Sequence, residues 1–340
     1  MNQRIGFQDL KAPLLALGIS LGLATILLPL LGASPGKALF SFYFGPFTQV
    51  YFWGNLLNQA ALLTLTGLGV ALAFRAGSFN LGGEGQTYLG GLGAAALGLS
   101  LSPDLGFWGI PLILLAGAFS GFLPALGSGI LKKHWGVDDL ITTFLISAAL
   151  LPLVDGLIGN PWMKDAHSYL IRSRVLDPAF SLPVLAPPSN LHWGTLLIFP
   201  LILIIFLGLF YTPWGYRFRM TGQNRLFAKY SGIETRGFDL WPLGFSGALH
   251  GLAGALAVLG VHHAMIQSFS FGLGWNGISV ALMARNHPLL ILPAALILSW
   301  LDQGSRAAVI QAQFPFELGA LLQAVILLFI TSNFFKGRKG

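Results

Sequence analysis

The sequence predicts an all-α, polytopic membrane protein, a single domain over residues 1–340 with about ten spans, some of them broken. Three observations carry this. Of 340 residues, 54% are hydrophobic and only 9% charged, where a soluble domain carries roughly a quarter charged residues. The charges are clustered, leaving uncharged runs at 12–36, 38–74, 85–103, 105–131, 178–216 and 240–284, and a bilayer core needs about 20 apolar residues per helix. Finally, Leu196–Phe210 is apolar at every position, which excludes the alternating polarity of a membrane β-barrel strand.

The elements follow in order. Ala12–Gly32 is too long for a signal-peptide core and is followed by no small-residue cleavage site, so it reads as an uncleaved first span. The next spans fall at 49–73, 85–102, 107–131, 138–158, 193–212 and 240–262. Two short apolar segments, 275–284 and 288–301, read as short spans, two half-helices or a re-entrant pair, and 317–335 closes the set. With the N-terminus inside, 14 of the 19 basic residues fall on the cytoplasmic side and five outside (Lys37, Lys164, Arg172, Arg174 and Arg306). Positive residues favour the cytoplasm, so both termini are expected there, in a bacterial inner membrane. Residues 159–192, with Asn160-Pro161, Pro183 and Pro187-Pro188, then form an extracytoplasmic loop able to meet a soluble partner. Residues 213–238 form the longest cytoplasmic segment.

Several chemistries are excluded or left unsupported. The chain has no cysteine, so disulfides, Fe–S clusters and thiol chemistry are ruled out. The net charge of +7 belongs with a basic cytoplasmic face rather than with nucleic acid. There is no phosphate-binding loop, no His-Glu-x-x-His helix and no Gly-x-Ser-x-Gly turn. No catalytic residue, metal or cofactor is expected on this chain, and ATP-driven work would need an ATPase on another one.

The most unusual segment runs from Phe74 to Gln86. Glycines at 77, 82, 83 and 85 permit a broken or re-entrant backbone, which at membrane depth is tolerated only against protein or a water-lined cavity. Glu84 opens an apolar run. It either caps the N-terminus of the third span, where the helix dipole favours an anion, or lines a transport path; both roles can coexist. Ser78-Phe79-Asn80-Leu81-Gly82 after the second span is echoed by Ser268-Phe269-Ser270-Phe271-Gly272 after the seventh, as an inverted repeat would produce. Asp138-Asp139 reads as a helix-start anion pair. His262-His263 reads as interfacial, since adjacent helical residues point apart. Arg285-Asn286-His287-Pro288 reads as a polar turn, either a plain inside loop or a structural element at a partner interface.

These residues resemble a family. Phe79-Asn-Leu-Gly-Gly-Glu-Gly-Gln86 resembles the signature of permeases in nucleoside-type ABC importers, part of the group that also serves sugars and branched-chain amino acids. Gly136-Val-Asp-Asp-Leu-Ile-Thr-Thr143 is similar to a second element of that family. Gly222-Gln-Asn224 with Ala228, Ser231, Gly232 and Ile233 is similar to its cytoplasmic coupling stretch. Ser246–Ala255 and Asn276–Pro288 complete the pattern. This sequence departs from it at Phe227-Ala228-Lys229, where two alanines are usual, at Gly83, where Ala or Val is common, and at His250, which interrupts a small-residue face.

The resemblance implies a permease that pairs with a second permease, often as a heterodimer. It also implies cytoplasmic ATPase subunits that bind ATP and Mg, and an extracytoplasmic solute-binding protein. It implies a nucleoside-like solute, with Phe79, Asn80, Gly82, Gly83, Glu84, Gln86, Trp275 and Asn276 as path candidates. Gly222, Asn224, Arg225, Phe227, Ala228, Tyr230, Gly232 and Ile233 are the coupling candidates. In this reading Thr221 or Gly222 starts a short helix near Asn224. The alternatives are a sugar or amino-acid permease of the same group, an ion-coupled transporter, for which only Glu84 and Asp155 offer membrane carboxylates, and an intramembrane enzyme, for which no His/Asp/Arg cluster is evident.

Overall fold

The computed structural model describes residues 7–31, 34–235, 237–238, 240–315 and 317–331. Among them the fold is helical: α1 (Phe7–Leu31), α2 (Pro35–Tyr43), α3 (Gly45–Thr48), α4 (Val50–Arg75), α5 (Gly83–Ser100), α6 (Gly109–Trp135) and α7 (Asp139–Ile158), followed by α8 (Ile198–Tyr211), α9 (Pro213–Gln223), α10 (Arg225–Tyr230), α11 (Trp241–Ala257), α12 (Leu273–Met283), α13 (Pro288–Ala312) and α14 (Gly319–Thr331). Strand pairing is confined to isolated bridges. Among the described residues seven segments are long and apolar enough to cross a membrane. The other three expected spans are α5, whose many glycines lower its hydropathy, and the shorter α12 and α14. The basic termini Arg4, Lys336, Arg338 and Lys339, and Arg236, lie outside the described residues.

One boundary differs from expectation. The segment expected to stop at 301 is a 25-residue helix reaching Ala312. The polar residues that ended the apolar run are satisfied by neighbours. Arg306 pairs with Asp302 at 3.0 Å, and Gln303 donates to Gln59 at 3.0 Å. Ser305 accepts from Leu318 and Gly319, at the start of α14.

The centre and the rim are chemically distinct. In α4, 89% of the most apolar window is buried within the chain, against 22% in α1 and α8. The outer helices therefore spend their apolar surface on lipid or another subunit. Between α5, α6 and α11 the contact is backbone to backbone: Gly90, Gly117 and Gly121 face Gly247 and Gly251, and a Cβ at 251 would strike the Gly117 carbonyl. In lipid, where apolar burial gives helices little reason to associate, close approach of small residues supplies the attraction.

The 159–192 segment, without regular helix beyond a turn at Pro178–Phe180, is fastened to the chain after α11. Ser173 N–H donates to Met265 O at 2.8 Å, Leu176 N–H to His263 O at 2.8 Å, and Gln267 N–H to Ile171 O at 2.9 Å. Its own Met163, Leu176, Phe180 and Leu182 are buried.

Candidate functional site: two helix breaks and a cavity beside them

The chain is broken after α4 and again after α11. At the first break, Asn80 replaces the missing helical bonds. Its Nδ2 donates to Gln86 Oε1 and Ser246 Oγ, each at 2.8 Å, while its Oδ1 accepts from Gln86 Nε2 at 2.9 Å and Gly82 N–H at 3.0 Å. Three further amides are taken up by α7. Phe79 N–H donates to Asp139 at 3.1 Å, Leu81 N–H to Thr143 Oγ1 at 3.0 Å, and Gly85 N–H to Ser147 Oγ at 2.8 Å. Irregular backbone inside a membrane requires such internal satisfaction. Asp138 caps α7 through Leu140 N–H at 2.8 Å, and Asp139 pairs with Lys132 at 2.6 Å, so both act as helix-start anions.

The second break is held by Glu84. The capping reading placed this carboxylate at the N-terminus of its own helix. It does lie in the first turn of α5, but its oxygens bond the next broken helix instead. Oε1 accepts from Ser270 Oγ at 2.5 Å and Gly272 N–H at 3.0 Å, and Oε2 accepts from Gly274 N–H at 2.9 Å. A helix start offers unpaired N–H groups and a positive dipole end, here supplied by α12. Asp155, the other membrane carboxylate, accepts from Tyr88 OH and from Gln267 Nε2 at 3.1 Å.

The path candidates thus separate. Asn80, Gly82, Gly83, Glu84 and Gln86 are buried in this bonding network. Phe79 is half-exposed with its ring tilted against Phe74, while Trp275 is exposed beside Phe144 of α7. Asn276 lines a cavity of about 670 Å³ between α4, the end of α11, α12, α13 and α14. Sequence reading missed most of that lining: Asn55, Asn58 and Gln59 on α4, Gln303 on α13 and Gln323 on α14. The available signal was the presence of amides within apolar runs. Asn190 is also in the lining, so the 159–192 loop borders the cavity.

At the opposite end, α9 is capped by Thr212, which accepts from Gly215 N–H at 3.0 Å, and anchored by buried Phe218 against Leu72, Ala76 and Leu209. Gly222, expected to start the coupling helix, belongs to α9 and packs directly on the Arg75 carbonyl. The helix starts at Asn224 instead, whose Oδ1 accepts from Phe227 N–H at 2.9 Å. It ends where Gly232, at φ +76°, adopts the left-handed conformation. Ile233 N–H then reaches Ala228 O at 2.9 Å, and Gly232 N–H reaches Lys229 O at 3.1 Å, a Schellman closure. Ala228 is buried; Leu226, Phe227 and Tyr230 are exposed, as is Arg225.

Two further motifs have structural places. His262 packs edge-on against Phe269, and among the described residues no group of three metal-ligating side chains occurs. Arg285 and Asn286, both at positive φ, make the turn between α12 and α13, tied to α4 by Arg75 Nε donating to Asn286 O at 2.6 Å.

Helices crossing a membrane, interrupted at two internally bonded breaks and flanked by a polar cavity, define a helical membrane transport subunit. The chain belongs to the branched-chain amino acid transport system permease component family, whose model matches residues 52–331. It is 32% identical over 323 residues to "Probable riboflavin import permease protein RfuC" of Treponema pallidum, covering 93% of this chain and 83% of that one. It is 29% identical over 328 residues to the guanosine ABC transporter permease protein NupP of Bacillus subtilis, covering 96% and 94%. To the glucose ABC transporter permease protein TsgB13 of Haloferax volcanii it is 27% identical over 340 residues, covering 95% and 88%. The chain is an inner-membrane permease subunit of an ABC importer and not an enzyme; its ATPase is a separate subunit.

Proposed function

We propose that this permease imports an uncharged, nucleoside-like solute handed over by a receptor on the side of the 159–192 loop. In this reading both termini and residues 213–238 face the cytoplasm, a second permease pairs with this one, and ATP and Mg bind on the ATPases. The observation that carries the ATP-driven reading is the α10 turn. Leu226, Phe227 and Tyr230 project from the chain while buried Ala228 and a cap at each end hold the turn in place. An apolar rim on a segment carrying Arg217, Arg219, Arg225 and Lys229 is suited to a groove on a soluble partner. Ion coupling is disfavoured because Glu84 and Asp155 are both engaged by fixed hydrogen-bond donors. The hydroxyl-rich solutes named for the relatives support an uncharged polar cargo.

The test is reconstitution of this chain with its genomic partners in proteoliposomes, followed by uptake of labelled guanosine, riboflavin and glucose. ATP-dependent guanosine or riboflavin uptake is expected. Uptake by this chain alone, driven by a proton or sodium gradient, would overturn the proposal.

A further inference from the structure

The cavity beside the second break has a composition that fits a ligand better than it fits lipid or simple packing. Six side-chain amides reach it from four helices: Asn55, Asn58 and Gln59, Asn276, Gln303 and Gln323. Amides present donors and acceptors together, so they can match a neutral molecule with several hydroxyl or ring-nitrogen groups. Asn58 is 6% exposed, and its Oδ1 has no partner within the protein. A buried acceptor left unpaired is destabilising, and a hydrogen-bonding ligand would satisfy it. Gln59 and Gln303 hold each other at 3.0 Å and so fix one wall. The charged groups at the mouth do not call for a charged ligand: Asp302 pairs with Arg306, and Glu317 lies in the same field. Tyr51, Phe269 and Phe271 add ring faces. The volume of about 670 Å³ lies within the roughly 300–1,000 Å³ of small-molecule sites.

We infer that this cavity is a solute-binding site, selective for uncharged ring compounds rich in hydroxyl groups, with Asn58 as its principal recognition residue. The inference rests on the proposed import function and deepens it. A solute entering from the loop side meets the amides of α4 and α13 first. It then lies against Phe269, Ser270 and Asn276, and Ser270 is the residue that Glu84 holds. Occupancy is thereby connected to the second helix break by direct contact.

The assembled transporter in proteoliposomes provides the test, with guanosine, riboflavin and glucose as probes. If none is imported, the proposed solute class fails and the inference fails with it. For any probe that is imported, Asn58→Leu and Gln303→Leu should each raise the KM for uptake at least tenfold, at normal abundance and receptor association. An unchanged KM would overturn the inference while leaving the import function standing. Because the chain has no cysteine, Leu273→Cys, which lines the cavity and leaves Asn58 intact, supplies a measurement independent of the leucine variants' folding. The imported probe should slow its labelling by a charged thiol reagent several-fold, and should not slow labelling of Trp108→Cys on an exposed turn. Equal labelling with and without the probe would reject the site. So would protection by the receptor without solute, which would make the cavity a docking pocket.

Discussion

The imidazole of His250 occupies the space that a side chain at residue 83 would need. Its Nε2 lies 2.5 Å from the position of a Cβ on Gly83, and on the other side its Nδ1 lies 2.8 Å from a Cβ position on Gly69. The two departures from the family pattern, a glycine at 83 and a histidine at 250, are therefore one arrangement: a large residue on α11 filling gaps left by glycines on α4 and α5. The ring is held by its Nδ1 contact with Ser246 O at 2.8 Å. Gly83→Ala should lower stability by about 1–3 kcal/mol through overpacking, read as a fall in the thermal midpoint in detergent. Gly83→Ala combined with His250→Ala should recover most of that loss. Gly83→Leu should impair uptake more than membrane insertion. If the double variant is no more stable than Gly83→Ala, the two positions are independent.

Glu84→Gln keeps the size of the side chain but turns one acceptor into a donor. The groups it meets, Ser270 Oγ–H and the N–H of Gly272 and Gly274, all donate to Glu84. At least one buried N–H then loses its partner, at about 1–3 kcal/mol. Hydrogen–deuterium exchange at residues 270–276 should accelerate and uptake should fall. Unchanged exchange would show that the carboxylate is not what secures the second break.

Phe227 is exposed on α10 while Ala228 beside it is buried, so a charge at 227 should leave the local fold intact. Phe227→Asp should preserve insertion and pairing with a second permease and abolish co-purification with the ATPase. Normal co-purification together with normal uptake would remove residues 224–233 from the coupling role.

His192, at the end of the 159–192 loop, is buried without a protein partner for either ring nitrogen. Burial pushes its pKa down to about 4, assisted by the neighbouring His263. The unfolded chain takes up a proton near pH 6.5 and the folded one does not. Stability is therefore fully present above about pH 6.5 and falls as the pH drops toward about 4, by up to about 3 kcal/mol. His192→Phe should flatten the dependence of the thermal midpoint on pH across that window. An equally steep fall in the variant would assign the acid sensitivity to other groups.

The amino-acid sequence by itself determined what depends on neighbours along the chain. Hydropathy placed ten helical elements, and the glycines between Phe74 and Gln86 marked the break, because transfer into lipid and helix interruption are decided over a few turns. The cap at Asn224 and the left-handed Gly232 could be approached in the same way, although the helix start was set two residues early at Gly222. The tertiary structure alone decided which partner each polar group finds. Asp302, Gln303 and Ser305 read as the end of a span, yet they lie in a helix that continues to Ala312 because α4, α14 and Arg306 satisfy them. Glu84 read as a cap for α5, yet it bonds α12, 188 residues away at Gly272. The amides of the cavity are scattered from Asn55 to Gln323, and no local pattern unites them. A buried hydrogen-bonding group must be paired wherever the fold brings a partner within about 3 Å, and separation along the chain does not enter that requirement.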